Sequence, residues 1–377
     1  EVHGYPVKAP MLDIHTVGAG GGSLAYRDNG GLLKVGPQSC GAFPGPVCYD
    51  QGNLTPSTTD ANVALQTLNP EFLLGGRMAI RRDLTMERIG LLAKELGMDV
   101  MATAQGIISV VTANMARAVR VISVQKGHDP RDYALMALGG AGPLHAVRLA
   151  QELDMKRVII PLTPGVMCAL GLLLTDLRAD FSSTQIMVAH PGMYTDIVSI
   201  FRDLLKQANH WFAQENVREE DRGLRMSADM RYVGQNYELA VDMPVSIDSM
   251  SDESGTDMVR SFIATHEAQY GFASQTDPVQ FVTFRIEAIG KVEKAAFTAH
   301  PDAGPDAQSA ITGARDVWFP ETEGFVSCPI YERSLLRSGN EVAGPAIIEQ
   351  MDATTVLPPG TRAIVEPHLN LIVETGR

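Results

Sequence analysis

Short apolar runs alternate with helical patterns from about residue 11 to residue 180, which is typical of an α/β fold. The runs MLDIHTV and GSLAYRD predict strands on either side of a glycine-rich loop. The run GGLLKVG continues this segment as a hairpin, because Asn29-Gly30 is a strong turn signal. Residues 37–56 are rich in proline and glycine and predict a loop.

Periodic apolar residues predict helices in the segment that follows. TTDANVALQTL predicts a helix with Thr59 or Asp60 as its N-cap. TMERIGLLAKELG and DVMATAQGIISVVTANMARAVRVISVQKG predict two more. The second of these has apolar residues at helical spacing on one face: Ala104, Ile107, Ile108, Val111 and Met115.

The segment up to about 185 ends with two strand-to-helix units. DYALMALGGAGPLHAVRLAQELD predicts a strand, a glycine turn and a helix with Pro143 at its first position. RVIIPL predicts the next strand and GVMCALGLLLTDL the next helix, in which the small residues Ala169 and Gly171 favour close helix packing.

The pattern changes after about residue 185. YTDIVSIFRDLLKQANHWFAQ predicts an amphipathic helix. Its apolar stripe consists of Ile197, Ile200, Phe201, Leu204, Leu205, Ala208, Trp211 and Phe212. Residues 224–290 predict strands with a helix near 255–270, residues 291–312 a linker, and residues 313–377 a β-rich cap. We therefore predict three domains, at 1–185, 186–295 and 296–377.

Composition and charge narrow the classes of function. The 377 residues carry a formal net charge of −13, which argues against nucleic acid or an anionic membrane as the main partner. The four cysteines show no CxxC spacing, so a zinc site or a disulfide framework is not expected, and a cytoplasmic location fits. Prolines interrupt the most apolar stretch, RVIIPLTPGVMCALGLLLTDL, which excludes it as a continuous membrane span. The opening EVHGYPVKAP predicts a start inside a larger protein.

Two glycine-rich elements are candidates for phosphate or nucleotide contact. Residues 18–23, GAGGGS, lack the lysine and the following helix of a Walker loop. Such a loop can present successive backbone N–H groups to an anion, or it can be a tight hairpin without a ligand. The second element, residues 139–142, follows a strand and enters a helix, where glycine allows close approach of a ligand or simply close packing.

These elements, in this order, resemble the second half of the nucleotide-binding core shared by actin, acetate kinases and sugar kinases. Longer motifs make the resemblance more specific. GYPVKAPMLDIHTVGAGGGSLAYRDNGGLLKVGPQSCGAFPGPVCY, PSTTDANVAL, QKGHDPRDYALMALGGAGPLHAVRLAQEL, IPLTPGVMCALGLLLTDLRADF and AGPAIIEQMDATTVLPPGTRAIV are similar to the hydantoinase A and 5-oxoprolinase family. That family includes subunits of acetone and acetophenone carboxylases. The family's N-terminal segment, which carries a first phosphate loop, is absent from this sequence.

The resemblance implies the fold. It implies an α/β second lobe of an actin/acetate-kinase-like (ribonuclease-H-like) core, then a mixed α+β domain and a small β-rich C-terminal cap. It also implies ATP with Mg²⁺, or Mn²⁺ or another divalent metal, as cofactors. The expected phosphate contacts are Gly18, Gly20, Gly21, Gly22 and Ser23, and the expected adenosine contacts are Gly139, Gly140, Ala141 and Gly142.

Asp13 and Asp60 are candidate metal ligands or catalytic groups by the same resemblance. Asp13 lies five residues before the loop, inside an apolar strand where a charge is costly unless it has a role. For Asp60 the structural alternative is an N-cap. His15 and His145 are the histidines nearest the glycine elements; His145 is a candidate catalytic residue, and the alternative is a hydrogen-bonded core histidine.

The resemblance implies an ATP-dependent hydrolase subunit that phosphorylates the oxygen of a cyclic amide. A ketone carboxylase subunit and a non-catalytic nucleotide-binding module are the alternatives. The expected partners are the N-terminal hydantoinase A segment that would complete the cleft, a hydantoinase B-like subunit and a small cyclic amide or ketone. This chain alone is expected to bind ATP weakly and to be inactive.

Overall fold

The computed structural model describes residues 14–243, 247 and 250–376. Asp13 and the beginning of the predicted strand MLDIHTV lie outside the described residues. The chain divides into two compact units. The first ends at Leu170 and resumes at Ala296, and the second runs from Gly171 to Ala295.

The described residues form seven α-helices and seventeen strands. The helices are α1 (Thr58–Ala64), α2 (Arg82–Leu96), α3 (Val100–Ile122), α4 (Gly142–Glu152), α5 (Met167–Leu174), α6 (Tyr194–Gln214) and α7 (Asp252–Tyr270). The strands up to Gly290 are β1 (Ser23–Arg27), β2 (Leu33–Ser39), β3 (Phe72–Leu73), β4 (Met78–Ala79), β5 (Leu135–Met136), β6 (Arg157–Ile160), β7 (Leu177–Val188), β8 (Arg222–Tyr232), β9 (Leu239–Asp242) and β10 (Val279–Gly290). The remaining strands are β11 (Ile311–Phe319), β12 (Gly324–Glu332), β13 (Glu341–Ala343), β14 (Ala346–Glu349), β15 (Thr354–Leu357), β16 (Arg362–Val365) and β17 (Leu371–Glu374).

The predicted hairpin is confirmed as the antiparallel pair β1 and β2, in which Ala25 lies opposite Val35. The strand predicted before the glycine loop is wrong for residues 14–17, which have no strand partner among the described residues. Their exposure gives the physical reason: Ile14 and Val17 do not reach the core. Within residues 14–27, the loop therefore leads into β1 with no strand before it.

The helices predicted from apolar periodicity are confirmed. Ala104, Ile107 and Val111 on α3 are fully buried, because the stripe faces α1, α2 and the hairpin. The predicted close packing of α5 is wrong: none of its residues is buried, and a methyl group added at Gly171 would contact nothing within 4 Å.

The first unit is organised around a five-stranded sheet of order β13-β16-β17-β6-β5. Strand β17 pairs antiparallel with β6, so that Val373 lies opposite Val158, and β5 pairs parallel with β6. A four-stranded sheet, β11-β12-β14-β15, belongs to the same unit. The β-rich tail is confirmed as β-rich. Its spatial division differs from the predicted one, because β17 completes the sheet that β6 begins.

The second unit is a four-stranded antiparallel sheet of order β7-β10-β8-β9 that packs against α6 and α7. The predicted stripe of α6 is confirmed, since Ile197, Phe201 and Leu204 are at most 1% exposed. Strand β7 was not predicted. Within the described residues, no single helix is long and apolar enough to cross a bilayer, although α2 and α3 pass that test as a pair bent by 87°.

Candidate functional site

The glycine loop is held against β2 by contacts that leave no room for side chains at two positions. A methyl group on Gly18 would lie 2.6 Å from Cβ of Pro37. A methyl group on Gly36, whose φ is +67°, would lie 2.3 Å from the Gly18 carbonyl oxygen. Glycine is therefore required at positions 18 and 36 by close backbone approach.

Hydrogen bonds fix the loop from its carbonyl side. The Gly21 oxygen accepts from the Thr59 amide at 2.8 Å, and the Gly22 oxygen accepts from the Cys40 amide at 2.9 Å. Ser23 Oγ accepts from the Gly20 amide at 2.9 Å. No described residue accepts a hydrogen bond from the amides of Gly21 or Gly22. The loop thus has N–H groups available for an anion, as a phosphate-binding nest requires.

The second glycine element is a tight turn at the start of α4. Gly139 has φ of +81° and donates its N–H to the Pro164 oxygen at 2.8 Å. A methyl group on Gly140 would lie 3.0 Å from the Asp352 carbonyl oxygen. The helix begins at Gly142, so Pro143 is its second residue and not its first. No side chain in the described part of the chain caps this N-terminus, whose partial positive charge favours an anionic ligand.

One cavity of about 290 Å³ joins the two glycine elements. Its walls include Gly20 from the loop and Ala141 and Gly142 from the turn. The other lining residues are mostly apolar: Ala19, Met115, Leu135, Met136, Ala137, Leu138, His145, Ala146 and Leu149. A small apolar cavity bordered by backbone amides suits a flat heterocycle more than a hydrated ion.

His145 lies on α4 and lines this cavity, and only 3% of its surface is exposed. Its Nε2 atom has no hydrogen-bond partner among the described residues. Burial lowers the pKa of His145 to about 4, so its imidazole is neutral at physiological pH. The alternative of a fully hydrogen-bonded core histidine does not describe this ring, and its catalytic role stays a prediction.

Asp60 is fully buried in α1 and accepts five hydrogen bonds. The amides of Val47, Cys48 and Ser57 donate to it at 2.8 to 3.0 Å. The hydroxyls of Ser57 and Thr85 donate at 2.7 and 3.0 Å. Ser57 is the N-cap of α1, and Asp60 completes its capping box from the third helical position. The prediction of Thr59 or Asp60 as N-cap is therefore wrong, because the helix begins at Thr58 and both residues lie inside its first turn.

The metal site stays a prediction. No cluster of three or more histidine, cysteine, aspartate or glutamate residues with metal-binding geometry occurs in the described part of the chain. The Asp60 oxygens are already occupied by hydrogen-bond donors. Asp13 lies outside the described residues. The nearby thiol of Cys48 is buried, and desolvation together with Asp60 raises its pKa, which makes it a poor nucleophile.

A larger cavity of about 590 Å³ carries carboxylates that the sequence analysis did not single out. Gly140 and Ala141 of the turn line it, together with Glu332, Glu349 and Asp352. Asp352 Oδ2 accepts the Gly165 amide at 3.0 Å, and its Oδ1 accepts from Gln350 Nε2 at 2.6 Å. The segment AGPAIIEQMDATTVL contains two of these acids, Glu349 and Asp352. It belongs to one of the long motifs that carry the family resemblance, and no other signal in the sequence pointed to these two residues.

Comparison with known proteins then identifies the family. Residues 1–181 match the hydantoinase/oxoprolinase family, and residues 190–373 match the hydantoinase/oxoprolinase C-terminal domain. The chain belongs to the hydantoinase/oxoprolinase family. The predicted family resemblance is confirmed.

Caprolactamase subunit alpha of Pseudomonas jessenii is 32% identical over 99% of this chain and 54% of that protein. The gamma subunit of acetophenone carboxylase from Aromatoleum aromaticum is 31% identical over 98% of this chain and 52% of that subunit. This member of the hydantoinase/oxoprolinase family thus spans about half the length of these curated relatives.

Solved structures support the mixed α/β fold. The crystal structure of ATP-dependent caprolactamase from Pseudomonas jessenii superimposes with a TM-score of 0.80 at 31% identity, over 98% of this chain and 54% of that one. A nucleotide-free acetone carboxylase structure gives a TM-score of 0.84 at 24% identity, over 95% and 52%, and indicates the fold alone.

Proposed function

We propose that this chain is the nucleotide-binding part of an ATP-dependent enzyme that opens cyclic amides, built on an actin-like lobe. The observation that supports this most strongly is the shared cavity. Two glycine elements predicted separately to contact phosphates and adenosine lie about 120 residues apart in sequence, and both line it. The amides of Gly21 and Gly22 and the start of α4, which no described residue pairs or caps, add the polar groups that a nucleotide needs.

The proposed chemistry would lower the activation barrier to hydrolysis of a cyclic amide. Amide resonance makes direct hydrolysis of a lactam slow. Transfer of the γ-phosphoryl group of ATP to the amide oxygen would release ADP and leave an electrophilic carbon. Water would then add to that carbon, and the ring C–N bond would break with protonation of the nitrogen, giving a free amine and an acyl phosphate. A second water would hydrolyse the acyl phosphate to a carboxylate and inorganic phosphate. Because phosphoryl transfer depends mainly on positioning and charge neutralisation, backbone amides carry much of the proposed work.

The predicted glycine elements and His145 have proposed roles within this scheme. Gly18, Gly20, Gly21, Gly22 and Ser23 hold the phosphates. The segment 139–142 holds the adenosine. His145, kept neutral by burial, contacts the bound nucleotide or substrate as a hydrogen-bonding group.

The divalent metal would be bound mainly by oxygens of the nucleotide phosphates. Mg²⁺ in such sites takes one or two carboxylates together with phosphate oxygens. Asp60 does not fit that set, because its oxygens already accept five hydrogen bonds. Asp13 remains the candidate carboxylate.

The test is substrate-dependent cleavage of ATP by the assembled enzyme. The chain is expressed with its upstream segment and with a hydantoinase B-like subunit, and release of ADP and phosphate is measured with a panel of lactams, hydantoins and oxoproline-like rings. We expect cleavage that rises with one class of ring and is matched by ring opening. ATP binding with no cleavage for any ring or ketone would instead establish a non-catalytic module.

A ketone carboxylase subunit is the second candidate, and the acetophenone carboxylase relative favours it. The same assay separates the two reactions, because a carboxylase requires bicarbonate and a hydrolase does not. Turnover that stops when bicarbonate is removed would exclude the hydrolase. Either enzyme would need the two partner chains, and permanent interfaces of this kind commonly exceed about 2,000 Å².

A further inference from the structure

A third cavity, of about 420 Å³, borders the glycine loop, and Gly18 is the only one of its described lining residues to which the proposed function gives a role. Its walls come from the start of the described chain and the loop (His15, Val17, Gly18), from β2 and its end (Lys34, Val35, Gly36, Pro37), and from α3 (Asn114, Arg117, Ala118, Val121).

The charged side chains that line this cavity are positive, whereas the chain as a whole is negative. The protein has a net charge of −13, yet the described residues that line this cavity include Lys34 and Arg117 and no carboxylate. Asp28 is the nearest compensating charge, at 3.8 Å from Lys34 Nζ. That pair is half-exposed and therefore weak, so Lys34 stays available to another anion.

Hydrogen bonds hold the α3 wall of this cavity in place. Asn114 Nδ2 donates to the Val35 oxygen of β2 at 3.1 Å. Asn114 Oδ1 in turn accepts from the Arg117 guanidinium, and the other N–H groups of that guanidinium have no acceptor among the described residues. One hydrogen bond thus joins the exposed Arg117 side chain to the residue that contacts β2.

The basic cavity and the 290 Å³ cavity share the same two elements. Gly18 lines the basic cavity, and the next two loop residues, Ala19 and Gly20, line the apolar one. On α3, Asn114 lines the basic cavity and Met115 the apolar one. An apolar site and a cationic site on adjacent residues suit a ligand with a flat, uncharged end and an anionic end.

We infer that the basic cavity receives the polyphosphate tail of a nucleoside triphosphate, with Lys34 and Arg117 as its charge-neutralising residues. The inference rests on the proposed function and extends it from backbone amides to two side chains. Arg117 offers a planar fork of donors that matches phosphate oxygens, and Lys34 adds a compact positive charge. The amides of Gly21 and Gly22, for which no acceptor occurs in the described part of the chain, lie in the loop that borders this cavity.

The test compares Lys34→Gln and Arg117→Gln with the matched control Arg120→Gln. Arg120 lies on the same helix three residues further on, is exposed and does not line the cavity. Each variant removes one positive charge, so a general electrostatic effect would appear in all three. Binding of ATP, inorganic tripolyphosphate and adenosine to the assembled enzyme is measured by calorimetry, and thermal unfolding checks that each variant folds.

We expect each cavity variant to weaken ATP and tripolyphosphate binding about tenfold, with adenosine binding unchanged and the control within about twofold of the original. Unchanged tripolyphosphate and ATP binding in the double variant K34Q/R117Q would overturn the inference. Loss of tripolyphosphate binding with ATP affinity retained would also overturn it, because the cavity would then hold a separate inorganic anion.

The outcomes distinguish this inference from the proposed function. If the double variant still cleaves ATP in the presence of a cyclic amide at the original rate and affinity, the proposed function stands and the cavity assignment fails. If ATP and tripolyphosphate binding depend on Lys34 and Arg117 but no ring or ketone stimulates cleavage, the cavity assignment stands and the proposed function fails.

Discussion

The Asp60 carboxylate has two possible roles, and its hydrogen bonds favour one of them. A buried carboxylate that accepts three backbone amides and two hydroxyls connects α1, the 47–48 segment and α2. A metal ligand would need at least one oxygen free of such donors. The geometry therefore favours a structural role for Asp60. It fixes the start of α1, where the Thr59 amide donates a hydrogen bond to the Gly21 oxygen of the glycine loop.

Replacing Asp60 with Asn tests this role. The new amide group would face N–H donors in place of an acceptor, so we expect the free energy of unfolding to fall by about 2 to 4 kcal/mol. Chemical denaturation measures the change, and Asp50→Asn, at an exposed carboxylate, is the control. A D60N protein with unchanged stability and no ATP cleavage would instead assign Asp60 to catalysis.

His145 makes stability depend on pH. Its pKa is lowered by burial from 6.5 to about 4, so the unfolded chain binds the proton first as the pH falls. The stabilisation is therefore complete above about pH 6.5 and is lost as the pH falls towards 4, by about 3 kcal/mol in all. Unfolding of the original protein and of His145→Gln, measured from pH 7.5 to 4.5, should show a steeper loss in the original. Parallel curves would mean that the folded protein protonates His145 normally.

At the scale of the element, the glycine loop contains one position that has no space for a side chain and another that has space for one. A methyl group at Gly18 would overlap Pro37, whereas one at Gly20 would meet nothing within 4 Å. We expect Gly18→Ala to lower the free energy of unfolding by about 1 to 3 kcal/mol and Gly20→Ala to leave it nearly unchanged. Denaturation curves of the two variants provide the comparison.

The same pair of variants also separates stability from binding. Gly20 lines the 290 Å³ cavity, so G20A should weaken nucleotide binding without weakening the fold. A G20A protein that binds ATP as before would remove Gly20 from the site. A G18A protein as stable as the original would show that the loop shifts away from Pro37 at no cost.

The elements that could be predicted from sequence are those with a local signal. The stripes of α3 and α6 follow helical spacing, and the β1–β2 hairpin follows Asn29-Gly30. Strand β7 lacked such a signal, because most of its side chains are exposed or half-buried. The N-cap of α1 was misplaced for a related reason: Ser57, Thr58, Thr59 and Asp60 are all plausible caps, and only the buried hydrogen bonds select Ser57.

The candidate site was predictable to a different extent. Glycine density identified the loop and the turn, but nothing in the sequence indicated that Gly20 and Gly142 line one cavity. Lys34, Arg117 and Asp352 were missed because each is an ordinary charged residue in its own segment. They become candidates only when the fold brings β2, α3 and the C-terminal strands next to the glycine elements.

At the scale of the whole molecule, the main difference between prediction and structure is long-range strand pairing. Strand β17 lies between β16 and β6, although more than 200 residues separate it from β6 in sequence. Leu371 and Val373 of β17 and Val158 and Ile160 of β6 are fully buried in one core. Hydrophobic patterns within short stretches of sequence carry no information about this long-range pairing. Residues 296–377 were therefore predicted as a separate domain.

Two fragments distinguish a separate C-terminal domain from an integrated one. Residues 175–295 contain every member of the core formed by α6, α7 and the β10 sheet, so this fragment should unfold cooperatively on heating, with dispersed amide NMR signals. Residues 296–377 contain β17 without β5 and β6, which leaves one edge of β17 unpaired and its buried residues without partners. That fragment should show no cooperative transition. Cooperative unfolding of 296–377 alone would restore the three-domain division and make the β17–β6 pairing a docking contact between domains.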